Sequence, residues 1–478
     1  MGTVASVVAT VCAAFACVAP AGPAAAPSPP RGAVPVVGGP GAAAPASASS
    51  GVAPAPPPAG APAARGDYAD IPLHADGVVV GADGHPRAVP VGGLEPAYPS
   101  ALAMDLWVAT GTVPGPAGYR DLAEQALRDM KALVLPGGAA VAGLSEDWRY
   151  VWPRDASFVV AALAGTRHLG DAYEVLTHLQ DLQDAGPDGV FQARYLPDGS
   201  GAVPDARGTQ LDGNGWVLWA VAAWYSHAVR EDRAASTATP GATPVPAASP
   251  ASAPREALEG LRPLVVRSVD AIRANRGSDG LPTASPDYWE VPETEATLGT
   301  AAAWLLGLEA VGPVLAALDE PPVDDVVAAL REGIAEHFAP TFGRHPGEWS
   351  RDTAVAFLMP PFAAPDRTVT AAWTAAAQAM ARPAGGLAPG VAWRQDGVSW
   401  TPTTAIFALT AAASGDRDRA VGWLDWLDGH RTRLGALPEK VLWDGRPSAV
   451  APLAWTCAIV LLALAELDDV VGPPLPAV

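Results

Sequence analysis

The stretch Pro452-Leu453-Ala454-Trp455-Thr456-Cys457-Ala458-Ile459-Val460-Leu461-Leu462-Ala463-Leu464-Ala465 decides how this chain folds. It carries no charge, and its apolar side chains fall on every face of a helix rather than on one stripe. Such a helix is stable only where other elements enclose it. Residues 156–164, 216–224, 296–308 and 405–413 read the same way. Between them lie amphipathic segments, as in Tyr119, Leu122, Ala126, Met130 and Leu133, with charged residues interspersed. Twelve helices are expected, beginning near Gly118, Asp155, Asp171, Asp212, Arg255, Thr294, Val323, Asp352, Arg367, Thr403, Asp416 and Ala451. Alternation of enclosed and amphipathic helices predicts six inner helices wrapped by six outer ones, an all-α (α/α)6 double barrel. A solenoid would show a repeat of fixed period, and none is present.

The barrel is expected over residues 117–470. Residues 1–66 are dominated by Ala, Pro, Gly, Val and Ser, too little core-forming surface to offset the entropy of ordering, so they read as a disordered leader. Its apolar residues 4–19 resemble a secretory signal, and Ala14-Phe15-Ala16-Cys17 a lipoprotein site, which points to export or the cell envelope. No Lys or Arg precedes the apolar run, so a cytoplasmic location is the alternative. Residues 67–116 form a short segment expected to pack on the barrel, with strand character over 71–93 and a turn at Ala82-Asp83-Gly84. Residues 234–254 read as a disordered insertion that leaves the C-terminal end of an inner helix.

Fifty acidic against 30 basic side chains give a net charge of -20, which repels phosphate backbones and anionic lipid. No nucleic acid is expected as partner, and no membrane beyond a lipid anchor at the N-terminus. A monomer is expected. Cys12, Cys17 and Cys457 build neither a disulfide framework nor a metal cluster, and the eight His have no ligand spacing, so no metal and no cofactor is implied.

Polar chemistry collects before the enclosed helices. Trp148, Trp152, Arg154 and Asp155 precede the second, Gln210 and Asp212 the fourth, and Asp287, Trp289 and Glu290 the sixth. Trp349, Arg351 and Asp352 precede the eighth, Arg394, Asp396 and Trp400 the tenth, and Glu439, Trp443 and Asp444 the twelfth. In a barrel of antiparallel helix pairs these loops share one end. Carboxylates, guanidinium groups and indoles at one mouth suit a sugar pocket, which needs paired hydrogen bonds to hydroxyls and a flat apolar platform. An Asp at a helix start is also a common N-cap, and that reading competes at Asp155, Asp212 and Asp352.

Glycoside hydrolysis needs one carboxylic acid to protonate the leaving oxygen and a second carboxylate acting from the other face of the ring. Glu290 lies among aromatic residues that would disfavour its charged form. Glu439 has Lys440 beside it, and Glu293 and Glu295 are rival acids. The motifs Trp152-Pro153-Arg154-Asp155, Gln210-Leu211-Asp212-Gly213, Asp287-Tyr288-Trp289-Glu290 and Leu437-Pro438-Glu439-Lys440, closed by Pro452-Leu453-Ala454-Trp455, together resemble glycoside hydrolase family 15. The resemblance implies an inverting exo-acting α-glucosidase that releases β-D-glucose from non-reducing ends of α-glucosidic oligosaccharides. By position, Glu290 matches the general acid and Glu439 the general base, with their carboxyls expected about 6.5–9.5 Å apart. Arg154 and Asp155 match the pair that holds the terminal glucose. Trp152, Asp212, Trp289 and Trp400 are expected to line the pocket, and Arg394 is similar to an arginine that reaches toward the scissile bond. Val291 stands where fungal members carry a second Glu, which favours short oligosaccharides over starch. An α,α-trehalase and a non-catalytic sugar-binding protein are the alternatives. The acid motif of terpene cyclases, the zinc set of prenyltransferases and a phosphorylase's phosphate site are absent from the sequence.

Overall fold

The computed structural model describes residues 68–74, 78–80, 86–88, 101–237 and 254–468. The expected leader, and most of the expected insertion, lie outside the described residues. The helices are α1 (Ala101–Thr110), α2 (Arg120–Leu133), α3 (Pro153–Gly165), α4 (Leu169–Asp184), α5 (Asp212–Thr237), α6 (Pro254–Gly260) and α7 (Arg262–Ala274). They continue as α8 (Leu298–Ala310), α9 (Gly312–Ala317), α10 (Asp324–Phe338), α11 (Arg367–Ala379), α12 (Thr401–Ala413), α13 (Arg417–Gly429) and α14 (Ala454–Leu467).

The inner ring runs α3, α5, α8, a 3-10 turn at Thr353–Leu358, α12 and α14, each packed on the next, and α14 closes the circle on α3. In α8 every residue from Leu298 to Leu308 is buried. The outer helices bury one face only. In α2 the buried set is Leu122, Ala123, Ala126, Leu127, Asp129, Met130, Ala132 and Leu133. The fold is an (α/α)6 barrel.

One inner position departs from the expectation. The eighth helix is reduced to the 3-10 turn Thr353–Leu358. Pro360 and Pro361 follow directly, and prolines that lack an N–H donor and clash with the preceding turn leave no room for a full helix after Asp352. Another departure is α1, which starts ahead of the expected barrel and packs on α2. Trp107 of α1 stacks on His168 with ring centres 3.8 Å apart and donates to Asp171 at 2.9 Å.

Short strands stitch the mouth. Strands β1 (Leu73–His74), β4 (Ser399–Trp400), β5 (Lys440–Val441) and β6 (Pro447–Val450) form one sheet in the order β1-β6-β5-β4. The β1–β6 pair is parallel and the other two are antiparallel, while β2 (Val78–Val80) and β3 (Pro86–Ala88) pair antiparallel in a separate sheet; the expected turn at Ala82-Asp83-Gly84 lies outside the described residues. Trp400 faces Lys440 in the β4–β5 register. Beneath the mouth the barrel axis is filled by Phe158, Trp216, Trp219, Phe357 and Phe362, whose rings meet one another at 4.9–6.3 Å. The barrel is therefore plugged, and its mouth is a dead end.

Two inner helices touch backbone to backbone. A methyl group on Gly215 of α5 would collide with the Ala303 carbonyl of α8, and one on Gly307 of α8 with the Gly215 carbonyl. Gly422, exposed in the middle of α13, has nothing within 4 Å of such a methyl. Gly215→Ala is thus expected to cost about 1–3 kcal/mol by overpacking, and Gly422→Ala to stabilise by about 0.5–1 kcal/mol through helix propensity. Urea unfolding of both variants checks this, and equal effects of one sign would refute it.

Candidate active site

The loops ahead of the inner helices are bonded to one another around the rim. Val151 bridges Tyr195, Gln192 bridges Thr209, and the Leu211 amide donates to Ser285 Oγ at 3.0 Å. The circuit continues through Leu298 to the Arg344 carbonyl, Asp352 to Gly390, Leu387 to Trp400, and Ala454 to the Ala142 carbonyl. The six loops share one end because their backbones pair there.

Arg154, the second residue of α3, stands at the centre and is 4% exposed. Its Nη1 donates to Gln210 Oε1 at 3.2 Å and lies 3.3 Å from Asp212 Oδ2. Its Nη2 stands 3.9 Å from Asp155 Oδ2 and 3.8 Å from Glu290 Oε1. The guanidinium lies over the Trp455 ring at 5.0 Å, and Trp455 in turn meets Phe158 of the plug at 5.9 Å. A buried cation is tolerable only when several partners compensate it, and here they come from three loops.

The carboxyls around it are perturbed. Burial pushes Asp155 up to about 6; Arg154 opposes this, while Asp212 and Glu439 add to it. Burial likewise pushes Asp212 up to about 6, with Arg154 opposing and Asp287 adding. Asp155 is beside Arg154, and Arg154 in turn reaches Glu290. The Arg154-Asp155 pair thus faces Glu290 and feels the charge of Glu439.

Glu290 takes a left-handed backbone, φ 55, which a side-chain-bearing residue rarely adopts. Strain of this kind collects at functional positions and must be held by the surroundings. Its loop is held by a second buried unit. Arg344 makes a bidentate pair with Asp287 at 2.9 and 2.7 Å and bonds Glu293 at 2.6 Å. The Asp287 carbonyl accepts the Glu290 amide at 2.8 Å. Burial works against the Arg344 charge, but Asp287 and Asp352 outweigh it and hold its pKa above the ordinary value. Glu293, also 2.8 Å from His345, is thereby engaged in scaffolding, and Glu295 is exposed.

The aromatic contact at the Glu290 carboxyl comes from Trp152, through its indole N–H, and not from its chain neighbour Trp289. Trp152 Nε1 donates to Oε1 at 2.6 Å, and Arg207 Nη1 pairs with Oε2. Trp289 turns the other way, with Arg344 over its ring at 4.2 Å and Trp393 edge-on at 4.8 Å. The φ of 55 that reverses the chain at Glu290 separates the two neighbours.

Glu439 is clamped by its backbone. Its amide donates to the Val450 carbonyl at 2.8 Å, and its carbonyl accepts from the Thr401 amide at 3.0 Å. Lys440 Nζ stands 3.2 Å from Glu439 Oε2 and lies over the Trp400 ring at 4.2 Å. Arg394 is exposed on the rim and stacks on Trp393 at 5.6 Å. The structure thus brings Trp152, Arg154, Asp155, Asp212 and Glu290 together, groups Glu439 with Lys440 and Trp400, and leaves Arg394 and Trp289 outside the first set.

Other mouth residues serve local structure. Asp352 caps the 3-10 turn through the Ala354 amide at 2.9 Å and accepts from the Tyr288 hydroxyl. Arg351 donates to the Thr341 carbonyl at 2.6 Å, Asp444 holds Arg446 at 2.8 Å, Trp443 stacks on Tyr68, and Trp349 is 76% exposed. Sequence reading missed Arg207, Arg194 and Arg344. Nothing in their local sequence separates them from surface arginines; only the fold shows what they face.

Several buried polar atoms at the mouth make no hydrogen bond within the protein: Arg154 Nε, Gln210 Nε2, Asp212 Oδ1, Trp400 Nε1 and Trp455 Nε1. Unpaired buried donors and acceptors are costly unless a ligand or water completes them. The mouth therefore carries buried polar groups that the protein itself does not satisfy.

No family model matches the sequence, and no curated protein matches it. Solved structures do match the fold. A wild-type glycosidase shares 23% identity at a TM-score of 0.58, covering 73% of this chain and 98% of its own. A bacterial glucoamylase complexed with acarbose shares 15% at 0.57, covering 76% of this chain and 57% of its own. Glucoamylase from Hormoconis resinae shares 14% at 0.55, covering 78% of this chain and 74% of its own. The chain has the fold of these glycosidases and glucoamylases.

Burial pushes Asp352 up to about 6 as well, with Arg344 and the Tyr288 hydrogen bond opposing and Asp287 adding. A carboxyl whose folded pKa exceeds its unfolded value contributes stability fully present below the ordinary value near 4, lost as pH rises through about 6. The melting temperature is expected to fall between pH 5 and pH 7.5, and Asp352→Asn to flatten that fall. An unchanged slope in calorimetry of the variant would count against it.

Proposed function

We propose that this protein is an inverting exo-acting α-glucoside hydrolase that releases β-D-glucose from the non-reducing ends of short malto- or isomalto-oligosaccharides. The observation that carries the reading is the contact of Glu290 with the buried Arg154, whose neighbour Asp155 feels the charge of Glu439, at the floor of a plugged barrel. A dead-end pocket admits a glucan chain only by its terminus, which favours exo over endo action. The unpaired polar atoms at the mouth, the Trp400 and Trp455 indole N–H groups among them, offer donors and acceptors to the hydroxyls of one terminal sugar. Among the solved neighbours, one glycosidase variant is in complex with glucose and the bacterial glucoamylase with acarbose.

In this reading Glu290 gives its proton to the glycosidic oxygen as the C1–O bond breaks. Glu439 removes a proton from the water whose oxygen attacks C1 from the other face. Lys440 and the backbone clamps from Thr401 and Val450 keep the Glu439 carboxylate in place, and Arg154 with Asp155 holds the terminal sugar.

Glu290→Gln and Glu439→Gln are each expected to lower kcat by about 10²–10⁴-fold or more with the circular dichroism spectrum unchanged. A near-normal rate in either would reject that residue's role. Glucose release from maltose, isomaltose, trehalose and dextrin assigns the linkage. The first product, followed by its anomeric proton in NMR, should be β-glucose, and initial α-glucose would refute inversion.

A further inference from the structure

No sequence motif marks Arg207, which lies on the loop between α4 and α5, yet it faces the proposed acid. The two oxygens of Glu290 look in different directions. Oε1 meets Trp152 and Arg154, which are 6% and 4% exposed and belong to the pocket floor. Oε2 meets Arg207, whose side chain is 37% exposed and belongs to the rim. Arg207 Nε is held in turn by Asp205 Oδ2 at 3.0 Å, and Arg194 Nη2 grips the same oxygen at 2.5 Å. Arg194 donates to the Asp147 carbonyl at 2.8 Å and lies over the rings of Tyr150 at 4.3 Å and Trp152 at 5.0 Å. Since Trp152 donates back to Glu290, the five side chains close a ring.

The ring has a consequence for the chemistry. In a dead-end pocket the terminal sugar fills the floor and the leaving group points to the rim. The glutamate oxygen that must deliver a proton to that leaving group is then Oε2, the one Arg207 covers. A carboxylate held by a guanidinium is charged and has no proton to give. We propose that Arg207 is a positioning residue that clamps Glu290 as a carboxylate while the pocket is empty. It swings off Oε2 when a glucoside enters, so that proton uptake by the acid is coupled to substrate binding. The proton comes from solvent onto Oε2 as the guanidinium leaves and then passes to the glycosidic oxygen as the C1–O bond breaks.

The remaining charges near Glu290 are fixed. Arg154 comes from α3 with Asp155 and Asp212 beside it, and Asp287 of the same loop is locked by Arg344. Arg207 alone of these stands on the rim, with Asp205, itself 35% exposed, as its other partner.

The coupling rests on the hydrolase reading, whereas the clamp does not, and the test separates them. In protein labelled with ¹³C-carboxyl glutamate, the Glu290 signal is the one lost in Glu290→Gln. Without substrate its titration midpoint should rise by about one pH unit in Arg207→Gln and stay near wild type in Arg207→Lys, which keeps the charge. An unmoved midpoint in Arg207→Gln overturns the proposal whether or not the protein turns over. In kinetics, the alkaline limb of kcat/KM, which reports the free enzyme, should move with the midpoint, while the limb of kcat, which reports the complex, stays put. Equal movement of both limbs overturns the coupling. A moved midpoint in a protein that releases no glucose supports the clamp and overturns the hydrolase reading and the coupling with it.

Discussion

Enclosing helices that are apolar on every face is the constraint from which the rest of the molecule follows. α8 and α14 have no polar side to turn to water, so each must be surrounded, and a closed ring of inner helices inside a ring of amphipathic ones satisfies all of them together. The ring also aligns the inner helices, so their preceding loops meet at one rim, where backbone bridges from Val151–Tyr195 through Leu387–Trp400 tie them. Aromatic side chains fill the axis below. What remains is a polar cup on an apolar plug.

Placing polar groups on such a floor is costly, and the structure offsets the cost with two compact charge units. Arg154 is compensated by Gln210, Asp212, Asp155 and Glu290; Arg344 by Asp287, Glu293 and Asp352. The two differ in how completely they are satisfied. Both Asp287 oxygens are bonded to Arg344 and only Asp352 Oδ2 of that unit makes no hydrogen bond, whereas Arg154 Nε, Gln210 Nε2 and Asp212 Oδ1 of the other make none within the protein. The more fully satisfied unit is a scaffold that holds the strained Glu290 backbone. The incomplete one has the character of a binding site, because a buried group without a partner is stabilised by whatever ligand supplies one.

Glu290 sits where the two units and the rim meet. Its backbone belongs to the Asp287–Arg344 scaffold, its Oε1 to the Arg154 floor, and its Oε2 to Arg207. A side chain tied to a fixed floor and a solvent-facing rim changes partners on one side only. That asymmetry distinguishes it from Glu439, whose amide and carbonyl are clamped between β6 and the start of α12 and whose carboxylate keeps Lys440 close.

By itself the sequence determined the barrel, because whether a helix is apolar all round or on one stripe is written in local side-chain order. It also determined which loops carry the polar residues, and hence that Arg154, Asp155, Asp212, Glu290 and Glu439 stand at one mouth. It could not determine which of those residues look into the cup. Trp289 and Glu290 are neighbours in the chain, yet a left-handed turn at Glu290 sends one toward Arg344 and the other toward Trp152. The shortening of the eighth helix to Thr353–Leu358 is legible in Pro360-Pro361, which a count of helix starts alone leaves unread. The roles of Arg207, Arg194 and Arg344 were decided by tertiary structure alone. An arginine's long side chain has the same local sequence signature on a solvated surface as in a buried pair, and only the distances set by the packed barrel select its carboxylate.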